Sequence, residues 1–341
     1  NSNIALQELD HLMSSACLEL ERKLSFLLQC NYVIALNSGT SALECAMQAI
    51  GVGPGDEVIV PCYTYIGTIA AVMCVGATPV LCDIGEGFSI SCEDIKRKIT
   101  GKTKAILCVH LRGYALDVSR IVSLATEYGL RVIEDCAQSI GVHFDGRPVG
   151  TIGDIGCFSF HEHKLVSSGE GGAVCTRDKD LYNRMRLICD ASRVFAYPSL
   201  LPGFPGHNYR MSELHAAICS VQLDRLPKVS QKLRVLHSAF IRELSHVPGI
   251  SVAEATSGDI PQSVYLICDN CDVADELQVF LDGLGVTSTL LYRQGEINHN
   301  VYVYWPYIME RAGYIDRWDP KSGILTDLFA ETLSLLRRTV N

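Results

Sequence analysis

Four stretches in the first two thirds of the chain are nearly unbroken apolar runs closed by a polar residue. They are Glu57-Val58-Ile59-Val60-Pro61, Thr78 to Ile84, Lys104 to His110 and Arg131 to Asp135. Runs without strict alternation predict strands buried on both faces, as in a parallel sheet covered by helices. Between them, Ser41 to Ile50, Thr64 to Val75 and Val118 to Tyr128 carry helical periodicity. The alternation predicts an α/β architecture with a mostly parallel sheet flanked by helices. Ligands of such sheets gather at the carboxyl ends of the strands, so the polar residues ending these runs are the first candidates for chemistry.

The pattern changes after Ile155. Two short strand-like segments, Phe158-Ser159-Phe160 and Ala173-Val174-Cys175, flank a polar, Gly-rich loop from Lys164 to Gly172. A Pro/Gly-rich linker, Tyr197 to Gly206, precedes two predicted helices, Ser212 to Leu226 and Lys228 to Ser245, the second a long connector. Strand patterns such as Ser263 to Ile267 then return, followed by helices. This reading divides the chain into a large domain, residues 1–230, and a smaller C-terminal α+β domain, residues 231–341. No internal repeat or low-complexity segment interrupts it.

Composition narrows the function classes. With 48% apolar and 20% charged residues, the 341-residue chain can bury a large core. The 29 basic and 38 acidic residues give a net charge of −9, a poor match to a general nucleic-acid binder, although a local pocket for one phosphate is compatible with it. No apolar run approaches the roughly 18 residues of a membrane span, and no basic segment with an apolar run and cleavage site opens the chain. The expectation is a cytoplasmic protein. Its 15 cysteines are odd in number and spread through apolar segments, as expected of free thiols packing as small hydrophobes. Cys268 and Cys271 form the one CxxC, without a second pair at zinc-site spacing, so no metal is expected.

Three places carry candidate chemistry. Asn37-Ser38-Gly39-Thr40-Ser41 is a strand-to-helix turn that reads either as a phosphate cradle or as an ordinary helix cap. Asp135 ends the run Val132-Ile133-Glu134-Asp135, with Gln138 one helical turn on. It reads either as a partner for a protonated ring nitrogen or as a structural cap. Lys164 follows Phe158-Ser159-Phe160-His161-Glu162-His163 at the head of the Gly-rich loop, as a carbonyl-capturing amine or a solvated charge. His161 and His163 alternate like metal ligands, but no carboxylate or cysteine at useful spacing supports them. In order along the chain, phosphate turn, strand-end carboxylate and lysine in a Gly-rich loop are what a pyridoxal phosphate site requires.

Six motifs in order carry a closer likeness: Asn-Ser-Gly-Thr-Ser-Ala-Leu (37–43), Gly-Asp-Glu-Val-Ile-Val-Pro (55–61), Glu-Asp-Cys-Ala-Gln (134–138), Phe-Ser-Phe-His (158–161), Gly-Glu-Gly-Gly-Ala (169–173) and Asn-Tyr-Arg-Met-Ser-Glu-Leu (208–214). From about Val33 to Leu226 the chain resembles the DegT/DnrJ/EryC1/StrS aminotransferases, sugar aminotransferases of the fold-type I pyridoxal phosphate superfamily. The resemblance implies that Gly39, Thr40 and Ser159 hold the cofactor phosphate and that Tyr65 stacks on its ring, with Tyr63 packing nearby. It implies that Asp135 pairs with the ring nitrogen, Gln138 contacts the phenolic oxygen, and Lys164 forms the Schiff base and shuttles the proton. Asn208, or Arg210 in its place, would reach the phosphate of a neighbouring subunit, which implies a homodimer with shared active sites.

By the same resemblance the amino donor is glutamate or glutamine and the reaction is ping-pong. The acceptor is a nucleotide-linked keto-sugar or a keto-cyclitol, on the way to an antibiotic or polysaccharide. Dehydratases of the family carry histidine in place of the lysine, so Lys164 argues for an aminotransferase over that alternative. A non-catalytic, ligand-binding or sensory member is the other alternative. The chain departs from the family at Arg112, where an aromatic is commoner, and at Tyr292 to Tyr304, where the acceptor-side loop differs. It also starts about where the family's first helix should be, and its end, Thr332 to Asn341, resembles a closing strand cut short.

Overall fold

The computed structural model describes residues 15–191, 206–292, 318–319, 324–325 and 335–340. Seven strands build its central sheet: β1 (Tyr32–Leu36), β2 (Glu57–Pro61), β3 (Thr78–Cys82), β4 (Thr103–Val109), β5 (Arg131–Asp135) and, beyond a hairpin of β6 (His143–Phe144) and β7 (Arg147–Pro148), β8 (Ile155–Ser159) and β9 (Gly172–Thr176). Their order is β1-β9-β8-β5-β4-β2-β3. Every pairing from β8 to β3 is parallel, while β9 runs antiparallel to both its neighbours. The four apolar runs are therefore strands, each within two residues of its predicted ends. All of β8 and β9 is buried.

Helices cover both faces, as the unbroken runs require. They are α1 (Ala16–Leu28), α2 (Gly39–Ala49), α3 (Ile66–Cys74), α4 (Cys92–Lys98), α5 (Val118–Tyr128), α6 (Lys179–Cys189) and α7 (Glu213–Leu244). On one face, Ala42, Ala46 and Met47 of α2 and Ile69 and Val72 of α3 pack with Ile34, Val58, Leu107 and Val174 of the sheet. On the other, Leu20, Leu24 and Leu28 of α1 and Leu223 and Leu226 of α7 meet Val33, Phe158 and Ala173, and α5 adds Ile121 and Leu124 against Ile106 and Val132. Side chains of Ser38, Ser91, Asp117, Asp178 and Ser212 cap five of these helices, satisfying amides that have no intrahelical partner.

The two helices predicted on either side of Pro227 are one. α7 runs 32 residues with Pro227 inside it. A proline in a helix interior costs about 3 kcal/mol. Each fully buried leucine returns about 1.5–3 kcal/mol, and Leu223 and Leu226 are both buried just before the proline, so packing outweighs the local penalty. The predicted domain boundary near residue 230 thus falls inside a continuous helix.

Beyond it, β10 (Ile250–Val252), β11 (Leu266–Cys268) and, after a short pair of β12 (Trp318–Asp319) and β13 (Ile324–Leu325), β14 (Thr339–Val340) complete the described strands. β10, β11 and β14 form an antiparallel sheet that shares an apolar cluster with α8 (Cys271–Gly283). The strand predicted at Ser263 to Ile267 starts later than expected, because the Ser263 carbonyl accepts from the Tyr114 hydroxyl at 3.0 Å instead of joining a ladder. Most of the predicted linker Tyr197 to Gly206, and Arg293 to Tyr304, lie outside the described residues. All 15 cysteines are free thiols, most of them buried. Among the described residues no helix is long and apolar enough to cross a membrane.

Candidate active site

Carboxyl ends of β1, β2, β4, β5 and β8 surround a cavity of about 290 Å³. Of the residues singled out in the sequence, Gly39, Thr40, Tyr65, Asp135, Gln138, Ser159 and Lys164 line it. Strands that end together bring together residues up to 125 positions apart.

The turn after β1 forms one end. Ser38 is extended, and its hydroxyl accepts from the Ser41 amide at 3.0 Å. The amides of Gly39 and Thr40 therefore stand at an open helix N-terminus, where backbone N–H groups and the helix dipole favour an anion. The turn is packed tightly enough to need glycine: a Cβ on Gly39 would lie 2.8 Å from Ser159 Cβ, and one on Gly172 would lie 2.3 Å from the Ser38 carbonyl oxygen.

Asp135 forms the floor. It is almost fully buried and accepts from the Thr68 hydroxyl at 2.8 Å and the Ala137 amide at 3.0 Å. Burial pushes its carboxyl above the usual carboxylate range; these two donors and the nearby Lys164 charge pull the other way. Thr68 shares a hydrogen bond with Thr64 at 3.0 Å. Sequence reading passed over Thr68, which lies in the first turn of α3, while Thr64 lies in the loop just before that helix.

Lys164 approaches from the Gly-rich loop, with Nζ 6.0 Å from the centre of the Tyr65 ring. Burial holds its amine below the ordinary lysine value, and the Arg112 guanidinium pushes the same way, against the attraction of Asp135. A depressed lysine pKa leaves more of the neutral amine available as a nucleophile. Tyr65 is half exposed and folds its ring onto Gly67, where a Cβ would lie 2.9 Å from the ring. Tyr63 is buried against Phe88, with ring centres 6.2 Å apart, and burial pushes its phenol up to about 12. Gln138 turns its Oε1 to the Arg112 amide at 3.0 Å.

Asn208 lies outside this cavity and is exposed. Its segment is held beside the turn, since the Asn37 amide donates to the Tyr209 carbonyl at 2.8 Å. Arg210, the substitute considered for Asn208, is paired with Asp190 at 2.6 Å. His161 and His163 line the cavity, and Glu170, nine residues on, comes within 3.9 Å of His161 Nε2, a carboxylate the sequence spacing did not offer.

Behind Asp135, a buried pair escaped the sequence reading. His110 Nε2 and Glu134 Oε2 are 3.1 Å apart, both fully buried. The Leu116 amide donates to His110 Nδ1 at 3.2 Å, so the imidazole proton sits on Nε2 and points at Glu134. Glu134 also accepts from the amides of Gly150, Ile152 and Gly153 at 2.6–2.8 Å. Burial alone would raise its carboxyl, but the hydrogen bonds from His110, Gly153 and Gly150 hold it below the ordinary value. His110, Glu134 and Cys136 are grouped closely enough to ligate a metal. The Glu134 oxygens are already spent on four donors, and burial keeps the Cys136 sulfur a thiol.

A model of the DegT/DnrJ/EryC1/StrS aminotransferase family matches residues 5–307. The chain belongs to that family. Among its relatives, the GDP-perosamine synthase of Vibrio cholerae is 37% identical over 265 residues, 77% of this chain and 71% of that one. The UDP-N-acetyl-3-dehydro-α-D-glucosamine 3-aminotransferase of Acidithiobacillus ferrooxidans is 33% identical over 311 residues, 89% of this chain and 83% of that one. Among solved structures, Streptomyces venezuelae DesV in complex with a ketimine intermediate superposes with a TM-score of 0.80 at 27% identity, covering 96% of this chain and 83% of that one. The chain is thus an aminotransferase of the fold-type I architecture, in a family that depends on pyridoxal phosphate.

Proposed function

We propose that this aminotransferase binds pyridoxal phosphate in the cavity between the turn of α2 and Lys164, and transfers an amino group from glutamate or glutamine to the ketone of a nucleotide-linked sugar. The observation that carries the reading is the meeting, in one cavity, of an open helix N-terminus, a buried carboxylate and a lysine of lowered pKa. That set fits the cofactor: an anion site at one end, an acceptor for a ring N–H on the floor, and an amine within reach of an aldehyde. The named relatives act on nucleotide-linked sugars, which favours such an acceptor over a keto-cyclitol.

Bound pyridoxal phosphate supplies an electrophilic carbon for amine exchange and an electron sink for the charge left when a proton is removed. The amides of Gly39 and Thr40 and the Ser159 hydroxyl would hold its phosphate. Asp135, itself oriented by Thr68 and Ala137, would keep a proton on the ring nitrogen, and a cation opposite it would oppose the upward push of burial. Lys164 Nζ would hold the cofactor through its carbonyl carbon and, as a free amine, would be the base that moves the donor's α-proton. Tyr65 would stack on the ring, and Gln138 would contact the phenolic oxygen.

An absorbance spectrum tests this reading. Adding pyridoxal phosphate to the purified protein is expected to produce a visible band, and glutamate or glutamine should then bleach it. A band that ignores both donors, or no band with Lys164 intact, overturns the proposal.

The working unit we propose is a homodimer with shared sites, its protomers divided into large and small domains near residue 230. Asn208 is exposed beside the phosphate turn yet outside its own cavity. An exposed apolar stripe, Leu214, Ile218 and Val221, follows it on one side of α7, a surface suited to a second copy. Mixing Lys164→Ala with Asn208→Ala protein is expected to restore activity to about a quarter of wild type, because half the dimers are then mixed and each holds one intact site. Mixtures no more active than either variant alone would remove Asn208 from the neighbour's site.

A further inference from the structure

The two oxygens of Asp135 are held from different elements. Oδ1 accepts from the Ala137 amide at 3.0 Å, just beyond its own strand, and Oδ2 accepts from the Thr68 hydroxyl at 2.8 Å, in the first turn of α3. Thr68 Oγ1 lies 3.0 Å from Thr64 Oγ1. A hydroxyl has one proton to give, and an ionised carboxylate can only accept. Thr68 spends its proton on Asp135, so Thr64 must donate to Thr68. The result is a directed chain, Thr64 to Thr68 to Asp135, whose three residues are buried and line the main cavity.

The chain is unlike the other buried hydroxyl contacts of this core. Thr151, Ser230 and Thr339 each turn back on a carbonyl three or four residues earlier, those of Pro148, Leu226 and Leu335. Thr68 reaches a carboxylate 67 positions away. Its amide also donates to the Tyr65 carbonyl at 3.0 Å, so one turn of chain carries both the donor to Asp135 and the ring of Tyr65. The titratable side chains around Asp135 are Lys164 from the Gly-rich loop, His110 after β4, Glu134 beside it, and the thiols of Cys108, Cys136 and Cys157, which burial keeps neutral. Among the described residues, Thr68 is the side chain that donates to Asp135.

We infer that Thr68, held in turn by Thr64, is a positioning residue of this aminotransferase, whose hydroxyl keeps Asp135 charged and aimed into the cavity so that a proton shared with a cofactor ring nitrogen stays on the nitrogen. Carboxylate and ring nitrogen are two bases competing for that proton, and each donor to the carboxylate makes it the weaker base. The inference rests on the pyridoxal phosphate reading above.

Two variants and two cofactors test it. Thr68→Val removes the donor but strands the Thr64 hydroxyl in a dry site, whereas the double variant Thr64→Val, Thr68→Val strands nothing. Binding is measured with pyridoxal phosphate and with its deaza analogue, in which C–H replaces the ring nitrogen. Both variants are expected to raise the apparent Kd of pyridoxal phosphate about tenfold, the loss of one hydrogen bond to a charged group, without weakening the deaza analogue. The pH midpoint of the visible band should move upward in both, because the Lys164 nitrogen joined to a less positive ring holds its own proton more tightly. Thr68→Ser, which keeps the hydroxyl, should restore both readings. Equal weakening of the two cofactors, recovery of the wild-type midpoint in the double variant, or wild-type values in folded Thr68→Val protein overturns the inference and leaves the cofactor reading standing. A wild-type protein that forms no band with pyridoxal phosphate overturns that reading instead.

Discussion

Replacing Lys164 with alanine is expected to lower amino transfer by at least about 10³-fold, because in the proposed role one amine serves both as carbonyl trap and as proton carrier, and positioned acid–base catalysis alone is worth about 10²–10⁴. The fold should survive. Among the described residues the Lys164 side chain makes no hydrogen bond, and its Nζ lies 6.0 Å from the centre of the Tyr65 ring. Circular dichroism checks the fold, and a coupled assay for the released keto acid checks the activity. Lys164→Arg should be as inactive, since a guanidinium keeps the charge but does not lose its proton. A Lys164→Ala protein with wild-type turnover removes Lys164 from its role.

The pH dependence follows from the lowered pKa. Only the neutral amine attacks an aldehyde, so the rate of pyridoxal phosphate capture rises with pH through the Lys164 pKa. It should level off below the pH at which a free lysine would. In Asp135→Asn the midpoint should move lower still, because Asp135 is the charge that holds the lysine proton on. Stopped-flow absorbance across a pH series reads both midpoints, and identical midpoints would contradict the pairing.

Glu134→Ala is expected to cost about 3–5 kcal/mol of stability, the range for removing one partner from a buried charged network. The loss leaves the amides of Gly150, Ile152 and Gly153 and the His110 Nε2–H without an acceptor, at a site with no solvent. Against a typical total of about 5–15 kcal/mol, that is a large fraction. Denaturant melts followed by far-UV circular dichroism measure it, and a loss below about 1 kcal/mol would mean the network matters little. The sign with pH is fixed by the lowered folded-state pKa. The stabilisation is fully present above the ordinary glutamate value and is lost as pH falls through the folded one, so wild type should weaken in acid more steeply than the variant.

These two carboxylates also mark what a sequence reveals. Asp135 was legible because it ends an apolar run, and strand ends are where an α/β sheet keeps its ligands. Glu134 is its immediate neighbour, and successive residues of a strand face opposite ways. The cavity therefore takes one acid and the protein interior the other. A charged residue inside an otherwise apolar strand was itself the signal, since such a group is buried only with partners. Those partners come from Gly150 to Gly153 and from His110, too far along the chain for any local pattern to show.

Gln262, whose Nε2 donates to the Gln138 carbonyl, was hidden for the same reason, being 124 residues from it. The strands and α5 were legible because local pattern and tertiary demand agree in them. They disagree at Pro227, and there the local rule gave way to the buried face of α7. They disagree again at Ser263, where a residue of strand-like pattern is drawn off to a loop of the large sheet's side.

The placement of β1 has a consequence for how the protein comes into being. Tyr32 to Leu36 lie at the edge of the sheet, and their one ladder is to Gly172–Thr176. On a ribosome adding about 5–20 residues per second, the strand waits roughly 7–30 s for the segment that pairs with it. During that wait an apolar edge is open to other chains, the hazard of folds built on distant pairings. The turn that would grip the phosphate is synthesised well before its walls, Ser159 and Gly172. The proposed cradle is therefore complete only once residue 176 has left the exit tunnel, and newly made protein should pass through an interval in which it cannot yet hold pyridoxal phosphate.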